Sequence, residues 1–88
     1  MNKQDRMQCE ALSLAKSRYR INADEHFTAM ELDNFLPIDM DTSLGKVEQA
    51  CNNAVETGFL EVWGTKHGKT AYKVKESILM DSIAQSIY

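Results

Sequence analysis

The stretch from Leu44 to Val74 narrows the possible folds more than any other part of this chain. Leu44, Val47, Ala50, Cys51, Ala54 and Val55 recur at helical spacing. At about 100° per residue they share an arc of about 140°. The other side carries Lys46, Gln49, Asn52, Asn53 and Glu56. Thr42 or Ser43 can cap the start of this helix, which the pattern carries to about Thr57. Gly58 stands where a helix commonly ends in the left-handed region, at little cost to glycine. Directly afterwards the period changes. Phe59-Leu60-Glu61-Val62-Trp63 and Thr70-Ala71-Tyr72-Lys73-Val74 are short and rich in aromatic and β-branched residues. Gly64-Thr65-Lys66-His67-Gly68-Lys69 lies between them as a hairpin connection, with Gly68 able to take positive φ. A helix that feeds straight into a hairpin predicts an α+β domain.

Upstream, the spacing predicts a first helix over Lys3 to Arg20. Met7, Ala11, Leu12, Leu14, Ala15 and Tyr19 fall on one side, and Asp5, Arg6, Glu10, Lys16 and Arg20 on the other. Asn22 to His26 reads as a polar loop. A second, two-turn helix starts at Phe27-Thr28. Thr28 is its N-cap, Glu31 the capping-box partner, and Phe27 a staple onto Leu32. Met30, Leu32, Phe35 and Leu36 are expected to be buried. Pro37 stops this helix, and the turn after it is expected to tuck Ile38 or Met40 inward. The tail from Glu76 to Tyr88 is again amphipathic, with Leu79, Met80, Ile83, Ala84 and Ile87 on one face. So short a helix needs a partner surface to persist in water.

With 88 residues, the chain has room for one modest core. The expected division is a domain over 1–75 and an added C-terminal helix over 76–88. At 43% hydrophobic and 26% charged residues, disorder over most of the chain is not expected. No apolar run approaches the length of a membrane span, and no apolar segment follows the charged N-terminus as a secretory signal would require. Cys9 and Cys51 lie far apart with no pairing signature, so a reduced, cytoplasmic setting is expected.

The formal net charge of −3 is unevenly distributed. Residues 1–20 hold Lys3, Arg6, Lys16, Arg18 and Arg20 against Asp5 and Glu10. Residues 21–42 hold Asp24, Glu25, Glu31, Asp33, Asp39 and Asp41 with no lysine or arginine. Residues 59–76 hold Lys66, Lys69, Lys73 and Lys75 against Glu61 and Glu76. An acidic total disfavours non-specific attraction to phosphate, while the sorting leaves local basic surfaces intact.

Phe27-Thr28-Ala29-Met30-Glu31-Leu32, then Val47, Cys51 and Ala54 leading to Gly58-Phe59-Leu60, then the Trp63–Tyr72 hairpin, together resemble the winged-helix superfamily of transcription regulators. The resemblance covers roughly residues 5–75 and departs from the superfamily in the small residues of the third helix and the acidity of the second. It implies a winged helix-turn-helix of three helices plus a β-hairpin wing, and a small DNA-binding transcription regulator, for which the short length suggests a bacterial or phage type. The third helix would then enter the major groove of duplex DNA. Gln49, Asn52 and Asn53 carry both donors and acceptors for reading base edges. Ser43, Lys46 and the wing residues Lys66, His67 and Lys69 would contact the backbone. Glu48 and Glu56 on the same helix oppose this through phosphate repulsion.

A second reading assigns a protein-interaction role, as an inhibitor or adaptor, to the acidic segment. Asp24, Glu25, Asp33, Asp39 and Asp41 would then face a basic partner protein. The tail residues Leu79, Met80, Ile83 and Ile87 would either mediate a homodimer or fold back on the first helix. Trp63 is expected to cap the hairpin against the core rather than to stack on a partner. Cys9, His26, Cys51 and His67 lack the close pairing of structural zinc sites, so no metal or other cofactor is expected. No phosphate loop, nucleophile elbow or contextual carboxylate pair is present, so the protein is not expected to be an enzyme.

Overall fold

The computed structural model describes residues 2–75. The predicted C-terminal helix, with Leu79, Met80, Ile83 and Ile87, lies outside the described residues. The elements are α1 (Lys3–Ile21), β1 (Phe27–Thr28), α2 (Ala29–Phe35), α3 (Leu44–Glu56), β2 (Leu60–Lys66) and β3 (Lys69–Val74). Three helices and a three-stranded antiparallel sheet of order β1-β3-β2 make this an α+β fold. Among the described residues no helix is long and apolar enough to cross a membrane.

Each helix begins on a side chain that accepts a free N–H of the first turn, which would otherwise be unpaired. Asn2 accepts from Asp5, Thr28 from Glu31 and Ser43 from Lys46. Ser43 thus takes the place for which Thr42 was the alternative. The end of α3 is a complete Schellman turn. Gly58 sits at φ +88°, its N–H donates to the Val55 carbonyl, and the Phe59 N–H donates to that of Ala54. That turn directs the chain from α3 into β2.

The core forms where α1, α3 and the sheet meet. Met7, Ala11, Leu14 and Ala15 of α1 are buried, as are Val47, Ala50, Cys51 and Ala54 of α3. Phe27, Leu32, Leu60, Tyr72 and Val74 complete the same cluster. The small residues on both helices allow α1 and α3 to approach closely, so burial here depends on many short contacts.

Several expectations need correction. Thr28 caps the second helix as expected, but Phe27 and Thr28 also form a strand, β1, with Phe27 opposite Tyr72 and Thr28 opposite Ala71. The sheet therefore has three strands, not the two of the expected hairpin. Met30 and Phe35, expected inside, are 55% and 43% exposed. The arc of α2 that faces inward runs through Ala29, Leu32 and Leu36, and neither side chain lies on it. After Pro37, by contrast, one of the two expected residues does turn inward: Met40 is buried in the core, and Ile38 is fully exposed. The hairpin connection is also shorter than expected. It is a two-residue turn with His67 at φ +54° and Gly68 at φ +75°, the pair of positive values that a type I′ turn requires. Val62 pairs with Tyr72 and Gly64 with Ala71, so Trp63 is the extra residue of a β-bulge.

Trp63 itself is 39% exposed and is not a plug in the core. Its ring stacks on the imidazole of His26, with centroids 3.6 Å apart and planes inclined by 8°. The bulge re-aims Trp63 toward the 22–26 loop, which an Asx turn holds in place through Asn22 Oδ1 and the Asp24 N–H.

Candidate nucleic-acid interface

The inward face of α3 is Val47, Ala50, Cys51 and Ala54, so the helix period leaves Lys46, Glu48, Gln49, Asn52 and Glu56 exposed and Asn53 half-buried. The exposed side chains divide between two sides. Lys46 and Gln49 border a shallow groove with Lys3, Gln4 and Met7 of α1. Glu48 and Asn52 face the hairpin and line a cleft of about 200 Å³ with Met30, Lys69, Thr70 and Tyr72. The type I′ turn brings Lys69 there, because it reverses β2 into β3 within two residues.

One hydrogen bond fixes the cleft's inner wall. The Tyr72 hydroxyl donates to Asn52 Oδ1 at 2.9 Å. Burial first, and then the nearby Cys51 and Glu48, raise the Tyr72 hydroxyl from 10.0 to about 12, so it remains a donor. With Oδ1 held on Tyr72, the Asn52 amide directs its N–H groups away from the sheet.

The predicted basic contacts are not equally free. Lys69 and His67 are exposed at the hairpin tip, and Lys46 is exposed on α3. Lys66, however, donates to Glu31 Oε1 at 3.2 Å, while Arg18 donates to Glu31 Oε2 at 2.9 Å. Glu31 thus bridges α1 and β2 through its carboxylate, whereas its backbone N–H serves the Thr28 cap. The expected capping box is thus met in its Thr28 half, while the Glu31 carboxylate, expected to turn back to Thr28, is engaged by Arg18 and Lys66. Ser43 is exposed, but its hydroxyl is engaged by the Lys46 N–H.

Among the acidic residues proposed for a partner, Asp24, Asp33, Asp39 and Asp41 are exposed, and Glu25 is half-buried, 3.9 Å from Arg18. Glu48 lines the same cleft as Asn52 and Lys69, so the candidate interface includes a carboxylate. Cys51 is buried, and desolvation, with a smaller contribution from Glu48, raises its thiol from 9.0 to about 12. Such a thiol is a poor nucleophile and a poor metal ligand at neutral pH. Cys9 is exposed on α1. Among the described residues no three His, Cys, Asp or Glu side chains converge on one point.

Four features of this surface escaped the sequence reading: the Glu31 bridge, the Tyr72–Asn52 bond, the Glu48 side of the cleft and the His26–Trp63 stack. All but the place of Glu48 beside Asn52, one helical turn away, join residues distant in sequence. No protein-family model, curated protein or solved structure matches this chain.

Proposed function

We propose that this protein is a winged-helix regulator that binds duplex DNA through α3 and the β2–β3 hairpin. The observation that carries the reading is the order helix, strand, helix, helix, hairpin, with β1 closing onto β3 and an exposed α3 face beside the hairpin tip. A winged helix is built in that order. In this reading α3 enters the major groove, Gln49 and Asn52 read base edges, and Lys46 and Lys69 hold phosphates. His67 and Ser43 border the same contact, and Asn53 contributes less because it is half-buried. Lys66 serves the fold through Glu31 rather than the duplex.

The roles separate experimentally. Lys69→Ala should weaken binding on every sequence and lower the salt slope by about 0.9. Gln49→Ala should act on the preferred sequence and leave the slope unchanged. Equal losses from both variants on all sequences would sink this division of labour.

A second reading, a protein-interaction module, is favoured by one specific observation. Asp33, Asp39 and Asp41 are exposed on α2 and the segment after it, and none has an ion-pair partner among the described residues. A basic protein surface would supply those partners.

A further inference from the structure

We infer that the corner formed by Phe35, Pro37 and Ile38 docks a cationic, amphipathic segment of a partner protein. The inference rests on the protein-interaction reading, deepens it, and does not depend on the duplex reading. Helix α2 ends at Phe35, where Leu36 turns extended before Pro37. The Met40 N–H then donates to the Pro37 carbonyl at 3.0 Å and closes a turn. Leu36 and Met40 are both buried, so the corner is anchored on each side by the core. Just before the first anchor Phe35 is nearly half exposed, and between the two anchors Pro37 and Ile38 are exposed to solvent. An apolar corner held in one shape loses little conformational freedom when it binds.

Charge selects the occupant. Asp33, Asp39 and Asp41 flank the corner in sequence and are all exposed. Lys3 donates to the backbone carbonyl of Asp41 rather than to its carboxylate. Of the other acids in residues 21–42, Glu25 and Glu31 are already committed to Arg18, Glu31 also to Lys66, and Asp24 is exposed on the 22–26 loop without an ion pair among the described residues. Three of the four unmatched carboxylates in residues 21–42 therefore flank the apolar corner in sequence. An apolar centre with an anionic rim complements a helix that carries a leucine stripe bordered by lysine or arginine. The same rim repels anionic lipid and phosphate, which disfavours a membrane or nucleic acid as occupant.

The test uses the full chain, isotope-labelled, and a designed helical peptide of about 14 residues with leucines at i, i+3, i+4 and i+7 and lysines elsewhere. Amide shifts followed during titration should centre on residues 33–41. Ile38→Ser should weaken binding about fivefold or more, the effect of losing a central apolar anchor. Because Ile38 is fully exposed, that variant should keep the native spectrum elsewhere. A control peptide with serines in place of leucines should bind about tenfold more weakly. Unchanged affinity of Ile38→Ser, or an equally good serine peptide, would overturn the corner as the docking site. Shifts centred on Asp24 and Glu25 would also overturn the corner while leaving the wider acidic-segment reading standing. Absence of peptide binding would remove both.

Discussion

The Tyr72 hydroxyl donates a 2.9 Å hydrogen bond to Asn52 Oδ1, tying the central strand of the sheet to the exposed side of α3. The bond spans 20 positions of sequence and sets how the hairpin is held against the helix. It also fixes which end of the Asn52 amide is presented outward.

Tyr72→Phe should therefore lower stability by about 1 kcal/mol, the usual net value of such a bond. Asn52→Ala should cost a similar amount, and the double variant should cost less than the sum of the two. Chemical denaturation of the four proteins closes that cycle. Strict additivity would show that the bond contributes nothing to the fold.

Glu31→Gln separates two effects. The Thr28 cap uses the Glu31 backbone N–H and should persist. The bridge to Arg18 and Lys66 is lost, at a cost below about 1 kcal/mol because all three side chains are partly solvated. In the duplex-binding reading, released Lys66 becomes available to phosphate, and affinity for DNA should rise. A titration in which affinity falls or stays constant would remove Lys66 from any reserve of contacts.

Alkaline pH should destabilise the protein. Cys51 titrates at 9.0 in an ordinary setting and at about 12 in the fold. Through that window the native state holds a proton that the unfolded chain releases, so stability is full below pH 9.0 and declines as pH rises. Tyr72, raised from 10.0 to about 12, adds to the same decline. Melting temperatures across this range should fall less steeply for Cys51→Ala than for the parent. In the native state at pH 8, alkylation should reach exposed Cys9 well before Cys51.

At the hairpin tip, His67 holds φ +54°, a conformation that asparagine adopts more readily. His67→Asn should stabilise the hairpin by a few tenths of a kcal/mol, whereas Gly68→Ala, at φ +75°, should cost about 1 kcal/mol. Thermal denaturation of both variants checks the turn type. A stabilising Gly68→Ala would contradict it.

The parts of the fold legible in the sequence were those decided within a few residues. Helix α3 was read to its last turn because its buried arc, its Ser43 cap and Gly58 all act locally. Strand β1 was not legible. Two residues carry no periodic signal, and Phe27-Thr28 becomes a strand only because Ala71-Tyr72 arrives beside it. The burial error at Met30 and Phe35 arose from reading hydrophobicity without the arc, since a seven-residue helix has only one face to bury. In the candidate site, the exposed residues of α3 were foreseen from its period. Their neighbours were not, because the Glu31–Lys66 pair and the bulge at Trp63 depend on how separate elements meet.

The most direct test of the central claim is a fluorescence-anisotropy titration of labelled duplex DNA at low and at physiological salt. Salt-dependent binding that is lost when Lys46 and Lys69 are both changed to glutamine is the expected result. Absence of binding at low salt, or binding indifferent to those two lysines, would contradict it.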